Sequence, residues 1–260
     1  MDVNRTKEIL KKYELDGCVL SSGENIFWAS GFPPIPSVGN RGIFNQTRLQ
    51  NAVFVVLPAE GDPTLIVSFG FYGIALSLSR ISDIRCSGTT MYVDRSQSGQ
   101  NPPVFAANPL EALFAVLKEK GLDQGRIGLE TGFWPAVNKD KLNKANPNAK
   151  WVDCKEIILE AKMVKTPAEI AIMRKAVQAN VHAIKKFIDA TAEGVTEKEL
   201  LDIYKLDLMK SGCDWGTTTL GAGGNSGEPY NIAGSYVLKK GDMLRVDLCP
   251  VFQGYFSDLA

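Results

Sequence analysis

Asp247 and Asp258 stand eleven positions apart, either side of Phe252-Gln253-Gly254, and the flanking runs Met243 to Leu248 and Tyr255 to Leu259 read as the arms of a β-hairpin. If the two aspartates oppose each other directly, their Cβ atoms lie about 4.5 to 5.5 Å apart on one face of the sheet. Carboxylates held that close repel unless positive charge lies between them. Divalent cations supply it, and two-metal hydrolases hold their ions about 3.5 to 4 Å apart, a gap that one carboxylate can bridge. Aspartates beside a turn are also a common surface feature, so spacing alone leaves both readings open. Pro250, in the first arm, cannot donate to a ladder and implies an edge or a bulge; bulges do occur beside active sites.

The neighbouring residues carry more. Val237-Leu238-Lys239-Lys240-Gly241-Asp242-Met243-Leu244-Arg245-Val246-Asp247, followed by Gly254-Tyr255-Phe256-Ser257-Asp258-Leu259-Ala260, resembles a passage of the creatinase / aminopeptidase P / prolidase family of pita-bread metallohydrolases. Asp16-Gly17-Cys18-Val19-Leu20 with Glu24 to Phe32 is similar to the opening of that family's N-terminal domain. Lys162 to Ile170, continuing through Arg174-Lys175-Ala176, is similar to the start of its catalytic domain. The resemblance spans the chain, in order.

It implies an α/β architecture: a creatinase-like N-terminal domain with a mixed sheet over residues 1–157, then the first part of an α+β pita-bread domain over residues 158–260. It also implies two divalent metal ions, Mn²⁺, Zn²⁺ or Co²⁺, with Asp247 as a terminal ligand and Asp258 as a bridge. The implied reaction is hydrolysis of a peptide with proline next to the scissile bond, by a homodimer. The family's other ligands, one histidine and two glutamates, lie beyond the second aspartate, and this chain ends two residues after Asp258. Residues 1–260 are therefore expected to bind metal weakly and to lack activity. Where family peptidases carry a substrate-side histidine, seventeen residues before the first aspartate, stands Tyr230. A phenol donates a hydrogen bond but does not shuttle protons at neutral pH as an imidazole does. A creatinase-like enzyme acting on a small amide or other C–N or C–S substrate is thus one alternative, and a non-catalytic dimerisation or binding module is another.

Other candidates read as structure. The only histidine, His182, falls one step off the expected buried stripe of a long helix and reads as a solvent-flank residue. Gly221 to Gly227 matches neither the dinucleotide nor the Walker pattern and reads as a turn, which the resemblance makes a substrate-side loop. No G-x-S-x-G elbow occurs, and no Ser-His-Asp triad can be assembled around one helical histidine. Cys18, Cys86, Cys154, Cys213 and Cys249 are odd in number and widely spaced, and read as free buried thiols.

Composition sets the outer limits. Lys plus Arg equals Asp plus Glu at 29 each, so no overall field favours nucleic acid or an anionic membrane. The N-terminus lacks a signal-peptide pattern and no run approaches the ~18 apolar residues of a membrane span, so a reducing cytoplasm is expected. With 45% hydrophobic residues the chain has the apolar content for real cores.

The elements that must position the aspartates follow from pattern. Asp16 to Leu20 and Ile26 to Trp28 read as strands, and Ala52 to Leu57 and Thr64 to Val67 as a hairpin around Pro58 to Pro63. Gly31 to Gly42 and Arg95 to Asn108 read as loops, Pro109 opens a helix ending near Gly121, and Arg126 to Glu130 and Trp151 to Asp153 read as strands. The domain boundary is expected between Asp153 and Thr166, in a short linking segment. Thr166-Pro167-Ala168-Glu169 is a capping box opening a long helix whose Ile170, Met173, Val177, Val181, Ile184 and Ile188 are expected to be buried. Thr196 to Glu199 repeats the box, and strands follow from Thr217. Residues 166–260 alone are expected to expose a sheet edge and an apolar face.

Overall fold

The computed structural model describes residues 1–32, 53–88 and 104–260. The chain divides into two compact units, Met1–Val164 and Lys165–Ala260.

The first unit is built on a seven-stranded mixed sheet. Its strands are β1 (Gly17–Leu20), β2 (Phe54–Pro58), β3 (Thr64–Ser68), β4 (Asp83–Ser87), β5 (Val104–Ala106), β6 (Arg126–Leu129) and β7 (Lys150–Asp153), in the order β5-β4-β3-β2-β1-β6-β7. β2 pairs antiparallel with both β1 and β3, and the remaining pairs are parallel. Alternation along β2 fills two cores. Val55 and Leu57 pack with Leu10, Leu20, Leu65 and Ile158 on one side, while Phe54 and Val56 pack with Leu113, Leu117, Ile127 and Leu129 on the other. Helix α1 (Val3–Lys12) covers the first side and α4 (Pro109–Glu119) the second.

The expected β2–β3 hairpin forms, with Phe54 opposite Ile66. Ile26 to Trp28 does not form a strand: it lies in α2 (Gly23–Ser30). A three-residue apolar run cannot separate strand from helix, and the polar residues Ser22 to Asn25 just before it are the helix start. The Ser22 hydroxyl accepts from Asn25 N at 3.3 Å, and the buried Glu130 carboxylate accepts from Ser22 N at 2.9 Å and Asn25 Nδ2 at 2.6 Å, so an anion sits at the helix N-terminus. Gly31, at φ 75°, closes the helix. Of the two expected loops, residues 33–42 and 95–103 lie outside the described residues, and Val104–Ala106 is strand β5.

After α3 (Tyr72–Leu78) and α5 (Ala136–Ala145), the supposed linking segment is helix α6 (Lys155–Met163), whose Ile157, Ile158 and Ala161 are buried in the first unit's core.

The second unit begins with α7 (Pro167–Asp189) and α8 (Glu197–Lys210), each opened by a complete capping box. An antiparallel sheet follows, β8 (Asp214–Ala222), β9 (Leu244–Phe252) and β10 (Tyr255–Phe256), in the order β10-β9-β8. Its core joins Ala183, Phe187, Leu200, Tyr204, Leu208, Leu220 and Leu248.

The buried stripe of α7 differs from expectation. Glu169, Ala176, Asn180, Ala183 and Phe187 are buried, whereas Ile170, Val177, Val181 and Ile188 are 39–59% exposed. Small alanines admit close packing, and Asn180 is buried because its amide is fully hydrogen bonded, so the true stripe is less apolar than its neighbour.

Candidate metal centre

β9 sorts its side chains by alternation. Leu248 belongs to the helix-packed core, with Val246 against it, while Asp247 and Cys249 stand on the opposite face, across from Thr219 and Thr217 of β8. The turn to β10 has two residues, Gln253 at φ 46° and Gly254 at φ 81°. Two successive positive φ values are the signature of the type I′ hairpin, whose twist suits the flanking strands.

That turn fixes the register. Tyr255 pairs with Phe252, Phe256 with Val251, and Leu259 bridges Leu248, so Asp258 lies across from Cys249, two residues displaced from direct opposition to Asp247. The exchange of hydrogen bonds between Leu248 and Leu259 makes the Cys249–Asp258 pair a non-hydrogen-bonded one, where side chains approach most closely. The aspartates thus share one face diagonally, with a sulfur between them. Cys249 Sγ is 3.4 Å from Asp247 Oδ1 and 3.4 Å from Asp258 Oδ1. Each of the three residues offers a ligand atom within 4.8 Å of the others; Asp247 and Cys249 are half-buried and Asp258 is exposed. Burial, followed by hydrogen bonding to Asp247 and Asp258, pushes the Cys249 thiol up to about 12. Without a cation the sulfur keeps its proton and donates it to a carboxylate.

Helix-side contacts hold this hairpin. Asn180 Nδ2 donates to Leu248 O at 2.8 Å and to Ser257 Oγ at 3.1 Å, and Tyr204 OH donates to Asn180 Oδ1 at 2.8 Å. One buried amide therefore fixes the residue between Asp247 and Cys249 and the residue before Asp258. Tyr255 OH donates to Glu169 Oε1 at 2.9 Å. Pro250 has its place too: Ser257 N donates to Pro250 O at 3.0 Å with no bond returned, and a bulge in β8 between Asp214 and Thr217 lies opposite. Gly216 occupies that bulge because an added Cβ would collide with the Cys249 carbonyl oxygen.

Tyr230 is 84% exposed, and the hydrogen bonds of the cluster do not reach it. Its loop is pinned by Glu197, the buried first residue of α8, which accepts from Ala222 N at 2.8 Å, Asn225 Nδ2 at 3.0 Å and Gly234 N at 2.9 Å. Burial alone would raise the Glu197 carboxyl, but these hydrogen bonds outweigh it and hold the group below its ordinary value. His182 is exposed and its Nδ1 lies 2.6 Å from Asp207 Oδ2, outside the cluster. Cys18, Cys86, Cys154 and Cys213 are buried free thiols as expected, whereas Cys249 is only half-buried and joins the aspartates. The available signal was the spacing Asp-x-Cys on a strand, which puts both side chains on one face.

The family model described as "Creatinase/Prolidase N-terminal domain" matches residues 3–164, and that described as "Metallopeptidase family M24" matches residues 171–260. The chain belongs to the creatinase/prolidase family. Among its relatives, YkvY of Bacillus subtilis is 27% identical over 155 residues, covering 58% of this chain and 42% of that protein. The creatinase of a Bacillus strain is 25% identical over 164 residues, covering 58% and 39%. The prolidase of Pyrococcus horikoshii shares the fold, with a TM-score of 0.70 at 19% identity over 98% of this chain and 62% of that one. The chain spans less than two thirds of the length of each. The mixed α/β architecture and the pita-bread fold of the second part follow from this membership.

Proposed function

We propose that the reaction of this fold is metal-dependent hydrolysis of a peptide bond next to proline, with Asp247 and Asp258 as metal ligands. The observation that carries the reading is the convergence of Asp247, Cys249 and Asp258 on one sheet face within the segment matched to a metallopeptidase family. The donor set fits a divalent cation: two carboxylates beside a sulfur, half-buried, with ligand atoms close enough to share an ion. Mn²⁺, Zn²⁺ or Co²⁺ in such a site lowers the pKa of a bound water and polarises a carbonyl. Asp247 and Asp258 would hold the metal, while Tyr230 offers a hydrogen bond to the substrate from the loop that Glu197 anchors.

Residues 1–260 contribute two carboxylates where the resemblance calls for five ligands, so the chain by itself binds Mn²⁺ weakly and does not turn over substrate. The working enzyme is a cytoplasmic homodimer acting on a peptide. A second reading, a creatinase-like enzyme for a small C–N substrate, is favoured by Tyr230 in place of an imidazole and by the similarity to creatinase.

Calorimetric titration with Mn²⁺ and a hydrolysis assay on Xaa-Pro dipeptides test the reading. We expect weak Mn²⁺ binding, lost in Asp247→Asn and Asp258→Asn, and no turnover. Sub-micromolar Mn²⁺ affinity would show that the ligand set has been miscounted, and binding untouched by both substitutions would remove the site.

A further inference from the structure

We propose that Cys249 is a third ligand of the Asp247–Asp258 site and that its sulfur makes the site take a thiophilic divalent ion, Zn²⁺ or Cd²⁺, in preference to Mn²⁺; this rests on the metal reading of the two aspartates given above. Around a tetrahedral ion with metal–sulfur and metal–oxygen bonds of about 2.3 and 2.1 Å, sulfur and oxygen ligands stand about 3.6 Å apart. Cys249 Sγ stands 3.4 Å from an oxygen of each aspartate. Both sulfur–oxygen separations are thus close to that spacing, and the ligand atoms of the three residues all lie within 4.8 Å of one another.

The backbone leaves the sulfur little alternative. Asp247 and Cys249 share a face because they are two apart on β9, and Asp258 joins them because the hairpin pairs it with Cys249. Asn180 holds the backbone at Leu248 and at Ser257, and the β8 bulge packs Gly216 against the Cys249 carbonyl. A rigid frame of this kind keeps ligand atoms converged in the absence of the ion. The arrangement also serves as a plain S–H···carboxylate hydrogen bond, and the two states interconvert simply. On binding, the metal–sulfur bond forms, the S–H bond breaks, and the proton leaves to solvent. Two hard carboxylates alone favour Mn²⁺-type chemistry, whereas a thiolate added to them shifts preference toward Zn²⁺ and Cd²⁺.

The test is Cd²⁺ titration of the 260-residue chain, read by the sulfur-to-cadmium charge-transfer absorption in the ultraviolet, with Mn²⁺ binding followed in parallel by calorimetry. The charge-transfer band is expected in the wild type and absent in Cys249→Ser and Cys249→Ala, with a loss of Cd²⁺ affinity of about tenfold or more. Mn²⁺ binding is expected to change less in the same variants. Asp258→Asn is expected to retain the band but to need more Cd²⁺. Near-ultraviolet circular dichroism establishes that each variant is folded, and two separate removals of the sulfur keep the comparison intact if one is not. A band that survives both cysteine substitutions overturns the proposal, because the sulfur then comes from elsewhere. No band in the wild type, with Mn²⁺ binding that Asp247→Asn abolishes, overturns the role of Cys249 and leaves the carboxylate reading standing. A Cys249-dependent band indifferent to Asp247→Asn and Asp258→Asn overturns both.

Discussion

The two sheets of this chain use their faces differently. In the first unit, β2 and β3 are buried at every position, and the sheet has a packed core on each side. In the second, Leu220 and Leu248 bury one face against α7 and α8, while Thr217, Thr219, Asp247 and Cys249 occupy the other. A sheet covered on both faces is given over to stability; one with a single apolar face keeps the other for polar side chains that stability does not need. Free energy of folding and candidate chemistry should therefore separate cleanly between the two sheets.

The largest expected effect tests the stability side. Phe54→Ala removes a fully buried ring stacked on Trp134, with centroids 5.5 Å apart, and should cost about 3 to 5 kcal/mol in chemical denaturation. Asp247→Asn should cost less than about 1 kcal/mol in the same experiment. Equal losses would end the contrast.

Asn180→Ala comes next. It leaves the Tyr204 hydroxyl and the Ser257 hydroxyl without their buried partner and should cost about 1 to 3 kcal/mol. It should also speed amide hydrogen exchange at Leu248 and Leu259 while the β2 amides stay protected. Exchange that rises equally in both sheets would show that Asn180 does not act through the hairpin.

Glu197 gives a pH dependence of known sign. Its folded carboxyl is held below the ordinary value, so its contribution is fully present above the unfolded glutamate pKa of about 4.3 and is lost as pH falls through the lower folded value. Glu197→Gln should flatten the acid limb of the second unit's stability profile, and an unchanged limb would count against the anchoring role. Smaller still, Thr166→Ala and Thr196→Ala should each cost about 1 kcal/mol, because each removes one half of a capping box, visible as a shift in the thermal midpoint.

What the sequence makes legible divides along physical lines. The β2–β3 hairpin and the two capped helices depend on local chemistry: a proline-bounded turn, and Thr with Glu three residues later. The spacing Asp-x-Cys places Cys249 beside Asp247, but its pairing with Asp258 is not legible, because that depends on whether the turn closes at two residues, and Gln253 is an uncommon non-glycine with positive φ. The buried stripe of α7 is misread for a related reason. Hydrophobicity marks Ile170 and Val177, but burial follows fit, and a hydrogen-bonded Asn180 between small alanines fits better. Helix α2 is lost to a three-residue apolar run, since its cause, the Glu130 carboxylate at its N-terminus, lies over a hundred residues away. The aspartates themselves are legible as a pair, but the diagonal geometry and the intervening sulfur are tertiary facts.

The polar face of the β9–β10 hairpin is the proposed metal centre. Isothermal titration of Zn²⁺ into the 260-residue chain, beside the double variant Asp247→Asn/Asp258→Asn, tests it most directly. One class of sites is expected in the wild type, with an affinity that falls by about tenfold or more in the variant. Identical isotherms for the two proteins would contradict it.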